Sequence, residues 1–211
     1  MSHRFSARES HTTQLFSEEI PNSCSNLVFE VFIHTIDPES TEVLIKTLRF
    51  FSPKKIEVRA LKEIPETSYN LIRHQYNGFL IAKWLDTLRA TKDSVVLGVM
   101  NVDAYVDPLN FIFGLALPEL NLATVYVARL KINATKGEFM TRIRKEVVHE
   151  VGHVFGLRHC KNKSCVMSFS NSLADVDRKD FRMCNTHYVE LKNRVPCVSD
   201  ELLQPSSKTG T

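Results

Sequence analysis

Apolar and polar positions change period several times along this chain, and the changes set out an alternation of strands and helices. The run NLVFEVFIH at 26–34 alternates and is rich in β-branched and aromatic residues, which predicts a first strand. Asp37 and Pro38 then open a helix, because proline suits a first helical turn, and Val43, Leu44, Thr47, Leu48 and Phe51 recur at helical spacing as far as Pro53. KIEVRAL at 55–61 alternates again as a second strand. A helix is expected over 70–90, with Leu71, Phe79, Leu80, Trp84, Leu85 and Leu88 facing inward. VVLGVMN at 95–101 is almost continuously apolar, the mark of a central strand covered on both faces. Asp103, Asp107 and Pro108 supply turn chemistry after it. Two β-like runs, 109–117 and 122–130, are separated by Pro118, Glu119, Leu120 and Asn121 and read as a hairpin.

From Thr135 to Phe155 the period returns to that of a helix, with Phe139, Ile143, Val147, Val148, Val151 and Val154 as its apolar stripe and Arg142, Arg144 and Lys145 facing outward or toward a cleft. Residues 173–195 read as one charged helix. Residues 1–25 are polar and without period, a flexible leader, and the Ser- and Pro-containing stretch 196–211 reads as a loose tail, which leaves 26–195 as one folded domain. With 43% apolar residues in 211, such a domain can bury an ordinary core.

Charge excludes little and adds little. The 27 basic residues are interspersed with 24 acidic ones for a net +3, which is no nucleic-acid footprint. No apolar run approaches the length that crosses a membrane, and the amino terminus lacks the apolar core of a secretory signal, so a cytoplasmic monomer is expected. Cysteine placement agrees: Cys160, Cys165 and Cys184 are grouped, while Cys24 and Cys197 read as uncommitted thiols in reducing surroundings.

The chemistry is concentrated in KEVVHEVGHVFGLRHCKNKSCVM at 145–167. His149 and His153, four apart on a helix, project from one face and can hold one tetrahedral ion. His159 is the third candidate ligand, and because it lies off that face the chain must turn first, which Gly156 permits. Zinc bound by three histidines keeps one position for water and lowers its pKa toward about 7. Glu150 is placed to take a proton from that water and hand it to a leaving amine, which describes peptide-bond hydrolysis.

His149, Glu150, His153, Gly156 and His159 in the order H-E-x-x-H-x-x-G-x-x-H, with Met167 after them, resemble the metzincins. Cys160 directly after the third histidine, followed by C-x-x-x-x-C-x-M, is similar to the archaemetzincin family in particular. The likeness extends to Cys184 downstream and to NFIFG at 110–114 and ARL at 128–130 upstream. It implies a zincin-like α/β fold: a mixed twisted sheet, an active-site helix and a small carboxyl-terminal zinc-stapled subdomain. It also implies two zinc ions, one catalytic and one structural. Cys160, Cys165, Cys184 and His187 have knuckle-like spacing for the structural ion, with His187 where the family usually carries cysteine and Cys197 as a rival fourth ligand. In metzincins an edge strand over the cleft binds the peptide substrate as an added strand, and ATVYVARL at 123–130 is the candidate. Met167 should floor the histidines, and Phe169 stands where some metzincins place a tyrosine that assists the oxyanion.

Three other readings remain open on the sequence: a zinc protein with weak or no peptidase activity, a nucleic-acid or partner-binding module using the Cys₃His group, and an amide hydrolase for small molecules.

Overall fold

The computed structural model describes residues 26–205, so the expected leader 1–25 and residues 206–211 lie outside the described residues. The first elements, β1 (Val28–His34), α1 (Pro38–Leu48) and β2 (Lys55–Leu61), fall where the periodicity puts them. Asp37 starts α1 by accepting a hydrogen bond from the Ser40 N–H at 2.9 Å, with Pro38 in the first turn.

The long helix expected over 70–90 is not formed. Tyr69–Asn70 (β3) and Gln75–Asn77 (β4) pair antiparallel, and α2 spans only Gly78–Thr87. Two asparagines account for the difference by competing locally for backbone N–H groups. Asn70 Oδ1 accepts from the N–H groups of Ile72 and Arg73 at 3.0 and 3.1 Å, which closes a turn, and Asn77 caps α2 through the Leu80 N–H at 3.2 Å. The buried face is then Gly78, Ile81, Ala82 and Leu85, while Leu71, Phe79 and Leu80 are exposed.

Next come β5 (Val95–Met100), β6 (Ala104–Tyr105), β7 (Gly114–Leu117) and β8 (Leu122–Tyr126). The main sheet runs β2-β1-β5-β8-β7; its neighbours are parallel except β7, which is antiparallel to β8. Every residue of β5 is buried. Val95, Leu97 and Val99 meet α1 and the long helix on one face, and Val96 and Met100 meet α2 on the other. The strand expected at the edge, ATVYVARL, contains β8 and is an inner strand; β7 is the edge. The chain passes the edge first and turns at Pro118–Leu120, with Asn121 in a left-handed conformation, before returning inward to pair with β5.

The long helix, α3 (Lys136–Val154), begins with a capping box: Thr135 Oγ1 accepts from the Glu138 N–H, and the Glu138 carboxylate accepts from the Thr135 N–H at 2.8 Å. Its expected stripe is buried. Arg142 and Lys145, expected at the outer face or cleft, are also buried. Arg142 forks onto Asp177 at 2.7 and 2.8 Å, and Lys145 donates to the carbonyls of Val176 and Asp177, both at 2.9 Å. That grip draws the chain after residue 176 inward, so the single helix expected over 173–195 is two, α4 (Leu173–Arg178) and α5 (Asn185–Arg194). Where a loose tail was expected, Val198 and Leu202 are buried and the Met183 N–H donates to the Leu202 carbonyl at 2.7 Å. Cys197 is disulfide-bonded and not the uncommitted thiol its isolation suggested.

Candidate active site and metal centres

His149 and His153 stand one turn apart on α3, which stops at Phe155. Gly156 follows at φ 79°, a left-handed angle that suits glycine, and its N–H donates to the His153 carbonyl at 2.8 Å while the Leu157 N–H reaches back to the Gly152 carbonyl at 3.0 Å. The turn so formed brings His159 back, and one nitrogen from each of the three rings lies within 4.8 Å of the others. The Nε2 atoms of His149 and His153 are 3.1 Å apart. A tetrahedron with zinc–nitrogen bonds of about 2.0–2.1 Å has an edge of about 3.3 Å.

Backbone carbonyls decide which nitrogen is offered. His149 Nδ1–H donates to the Val166 carbonyl at 2.8 Å and His153 Nδ1–H to the Leu157 carbonyl at 2.7 Å, so both Nε2 lone pairs point inward. Two lone pairs facing at that distance repel unless a cation lies between them. Burial pushes all three histidines below their ordinary pKa, His153 to about 4, which keeps them neutral at pH 7 in the form that binds metal. Met167 is fully buried against α3 at Gly152, and Phe169 meets the His159 ring edge-on at 5.2 Å.

Glu150 faces β7. A Cβ at Gly114 would overlap its carboxylate, so the edge strand comes this close only because residue 114 has no side chain. Burial first, and then the charge of Glu146, raise the Glu150 carboxyl well above the usual range, with Lys179 opposing. A cleft of about 500 Å³ lies between the helix wall, with the triad and Glu150, and an opposite wall that includes Phe111, Phe113 and Gly114.

Cys160, Cys165, Cys184 and His187 form a second group, with one ligand atom from each within 4.8 Å of the rest. Cys160 Sγ and Cys184 Sγ are 3.8 Å apart, matching the edge of about 3.8 Å set by zinc–sulfur bonds of about 2.3 Å. His187 Nδ1 lies 3.3 Å from Cys184 Sγ, and its Nε2–H donates to the Arg158 carbonyl at 3.1 Å, which again settles which nitrogen faces the cluster. Burial drives the Cys165 thiol up to about 12 and Cys160 upward. It pushes Cys184 the same way, but hydrogen bonds from His187 and the two neighbouring sulfurs outweigh it and bring that thiol to about 7. Three thiols this close cannot all shed protons unless a cation compensates them, and this donor set suits zinc. Cys197, the rival, is outside the group.

One pair beside the site had no signal in the sequence. Glu146, one turn before Glu150, and Lys179, just after α4, are almost fully buried, with Nζ 2.9 Å from Oε1. The contact lies off a hydrogen-bonding direction, and both atoms keep unmet capacity. Removing one partner of such a pair leaves a buried, uncompensated charge, at a cost of about 3–5 kcal/mol. Lys179→Met should therefore be destabilised by about that amount in denaturant unfolding, and Lys179→Met with Glu146→Leu should recover most of it. Equal losses in the single and double variants would show that the charges are not coupled.

Residues 27–193 match the model of peptidase family M54. The archaemetzincin of Methanocaldococcus jannaschii is 39% identical over 179 residues, covering 80% of this chain and 96% of that protein. The crystal structure of archaemetzincin from Methanopyrus kandleri superposes with a TM-score of 0.73 at 30% identity, covering 82% of this chain and 97% of that one. That of Archaeoglobus fulgidus archaemetzincin, complexed with malonate, gives 0.67 at 35% identity, covering 78% and 99%.

Proposed function

The chain belongs to peptidase family M54, the archaemetzincins, and is a zinc metallopeptidase; from that premise we propose that His149, His153 and His159 hold the catalytic zinc, that Glu150 is the proton carrier, and that Cys160, Cys165, Cys184 and His187 hold a second, structural zinc. The observation that carries the reading is the pair of carbonyl-locked rings whose Nε2 atoms converge beside a buried carboxylate.

A zinc ion held by the triad would act as a Lewis acid, acidifying a water molecule and meeting the charge that develops on the scissile carbonyl oxygen, a task Phe169 has no hydroxyl to share. Glu150 then takes a proton from the attacking water at its carboxylate and delivers it to the amine that leaves. The peptide lies along β7, which is hydrogen-bonded on one side only, to β8, and adds to the sheet as an extended strand. Arg142 and Lys145 hold α3 against the α4 segment, and Gly114 lets the edge strand approach Glu150, so the proton carrier and the peptide-binding edge keep a fixed separation. Among the described residues no helix is long and apolar enough to cross a membrane.

Metal analysis tests the assignment. Wild-type protein is expected to carry two zinc equivalents, and His153→Ala one, with its far-ultraviolet circular dichroism unchanged. Two equivalents in the variant would remove His153 from the ligand set.

A further inference from the structure

Two residues that the proposed mechanism leaves without a role, Phe111 in the stretch 110–114 (NFIFG) and Arg129 in 128–130 (ARL), meet in space. Arg129, just past β8, forks onto Asp103, its Nε and Nη2 donating to the two carboxylate oxygens at 2.6 and 2.8 Å. Asp103 is itself held, since Gln75 Nε2 donates to its carboxylate at 3.2 Å and the Tyr76 N–H donates to its carbonyl at 2.9 Å. From that anchor the Arg129 guanidinium lies 4.3 Å from the centre of the Phe111 ring, and Phe111 meets Phe113 edge-on at 5.2 Å. Both rings line the cleft wall opposite the histidines, whereas Arg129 does not.

The backbone on either side is pinned by other means. The Ile112 N–H donates to the Ala104 carbonyl at 2.9 Å, and the Phe113 carbonyl accepts from the Tyr126 N–H at 2.8 Å. Arg73 donates to the carbonyls of Leu109 and Asn110 at 3.2 and 3.1 Å. The loop therefore keeps its path without Arg129, and what Arg129 adds is the attitude of one ring. A planar fork fixed by two hydrogen bonds presents a defined face for a ring to stack on, which a lysine ammonium does not.

We propose that Arg129 is a positioning residue for the substrate: acting through Phe111, it sets the apolar wall against which a large apolar side chain next to the scissile bond packs. This rests on the cleft being the peptide-binding cleft. The wall sets Phe111 and Phe113 among aliphatic side chains such as Leu109 and Leu115, Phe169 supplies a further ring beside His159, and a slot so built discriminates by apolar area.

The test uses the full zinc-loaded chain as wild type, Arg129→Lys, Arg129→Met and Phe111→Ala. Two probes are titrated by calorimetry, an N-acyl phenylalanine hydroxamate and its alanine counterpart, and two peptides with the same difference beside the cleaved bond are assayed for KM and kcat. The preference for phenylalanine over alanine should fall about 5-fold in all three variants, through KM and not kcat, with zinc content unchanged. Failure of lysine to restore it would separate the fork from the charge. Equal weakening toward both probes, or an unchanged preference, overturns the proposal. If the wild type cleaves neither peptide yet prefers the phenylalanine hydroxamate, and the variants lose that preference, the peptidase reading fails and this one stands; cleavage with no preference sinks this one alone. Should the Arg129 variants lose zinc or melt early, Phe111→Ala decides by the same criterion.

Discussion

Glu150→Gln is expected to lower kcat about 100- to 10,000-fold while both zinc equivalents and the melting temperature stay at wild-type values. Glutamine keeps the shape that fits against Gly114 and keeps one acceptor oxygen, so the helix, the edge strand and the triad have no reason to move. What it removes is the capacity to accept a proton from water and return one to the leaving amine. KM should change little, because the loss falls on the transition state and not on binding of the ground state. Peptide cleavage measured on wild type and variant at matched zinc content checks this. A variant within a few-fold of wild type would place the proton carrier elsewhere; the nearest other carboxylate on α3, Glu146, is tied to Lys179 and poorly suited to the task.

Much of this arrangement was legible before any coordinates, and the reasons are local. Four-residue spacing on a helix fixes where His149 and His153 point, and a glycine at 156 is what the return to His159 requires, so the convergence of the three rings at the end of α3 follows from neighbours in sequence. Knuckle spacing likewise brought Cys160, Cys165, Cys184 and His187 together. What was missed depends on partners far along the chain. Whether β7 or β8 lies at the edge is decided by which of them pairs with β5, and both strands are short and apolar. Leu71, Phe79 and Leu80 read as an inner face until Asn70 and Asn77 claimed the backbone donors for a turn and a cap. Lys179 looks like any surface lysine until Glu146 is found beside it inside the protein.

Cys165→Ser is expected to have the largest effect on folding. Cys165 is fully buried, its sulfur accepts the Cys184 N–H at 3.2 Å, and it ties the loop after His159 to the start of α5. Structural zinc contributes about 10–16 kcal/mol in isolated zinc-finger peptides, where almost nothing else holds the fold. Here Val166, Met167 and Met183 are buried around the cluster and survive its loss, so the effect is smaller, yet a domain of this kind has only about 5–15 kcal/mol of stability in total. At about 2–4 °C per kcal/mol, a loss of several kcal/mol lowers the melting temperature by more than about 10 °C. Cys160 adjoins His159, so the same change should weaken the catalytic triad's hold on its own metal, and slow chelation of the wild type should reproduce both effects in order, activity first and the melt second. The contrast with His153→Ala, which is expected to lose a zinc and stay folded, would separate the proposed catalytic site from the proposed structural one. A Cys165→Ser protein that loses one zinc equivalent yet melts with the wild type would mean that packing alone sustains the segment from Cys160 to His187.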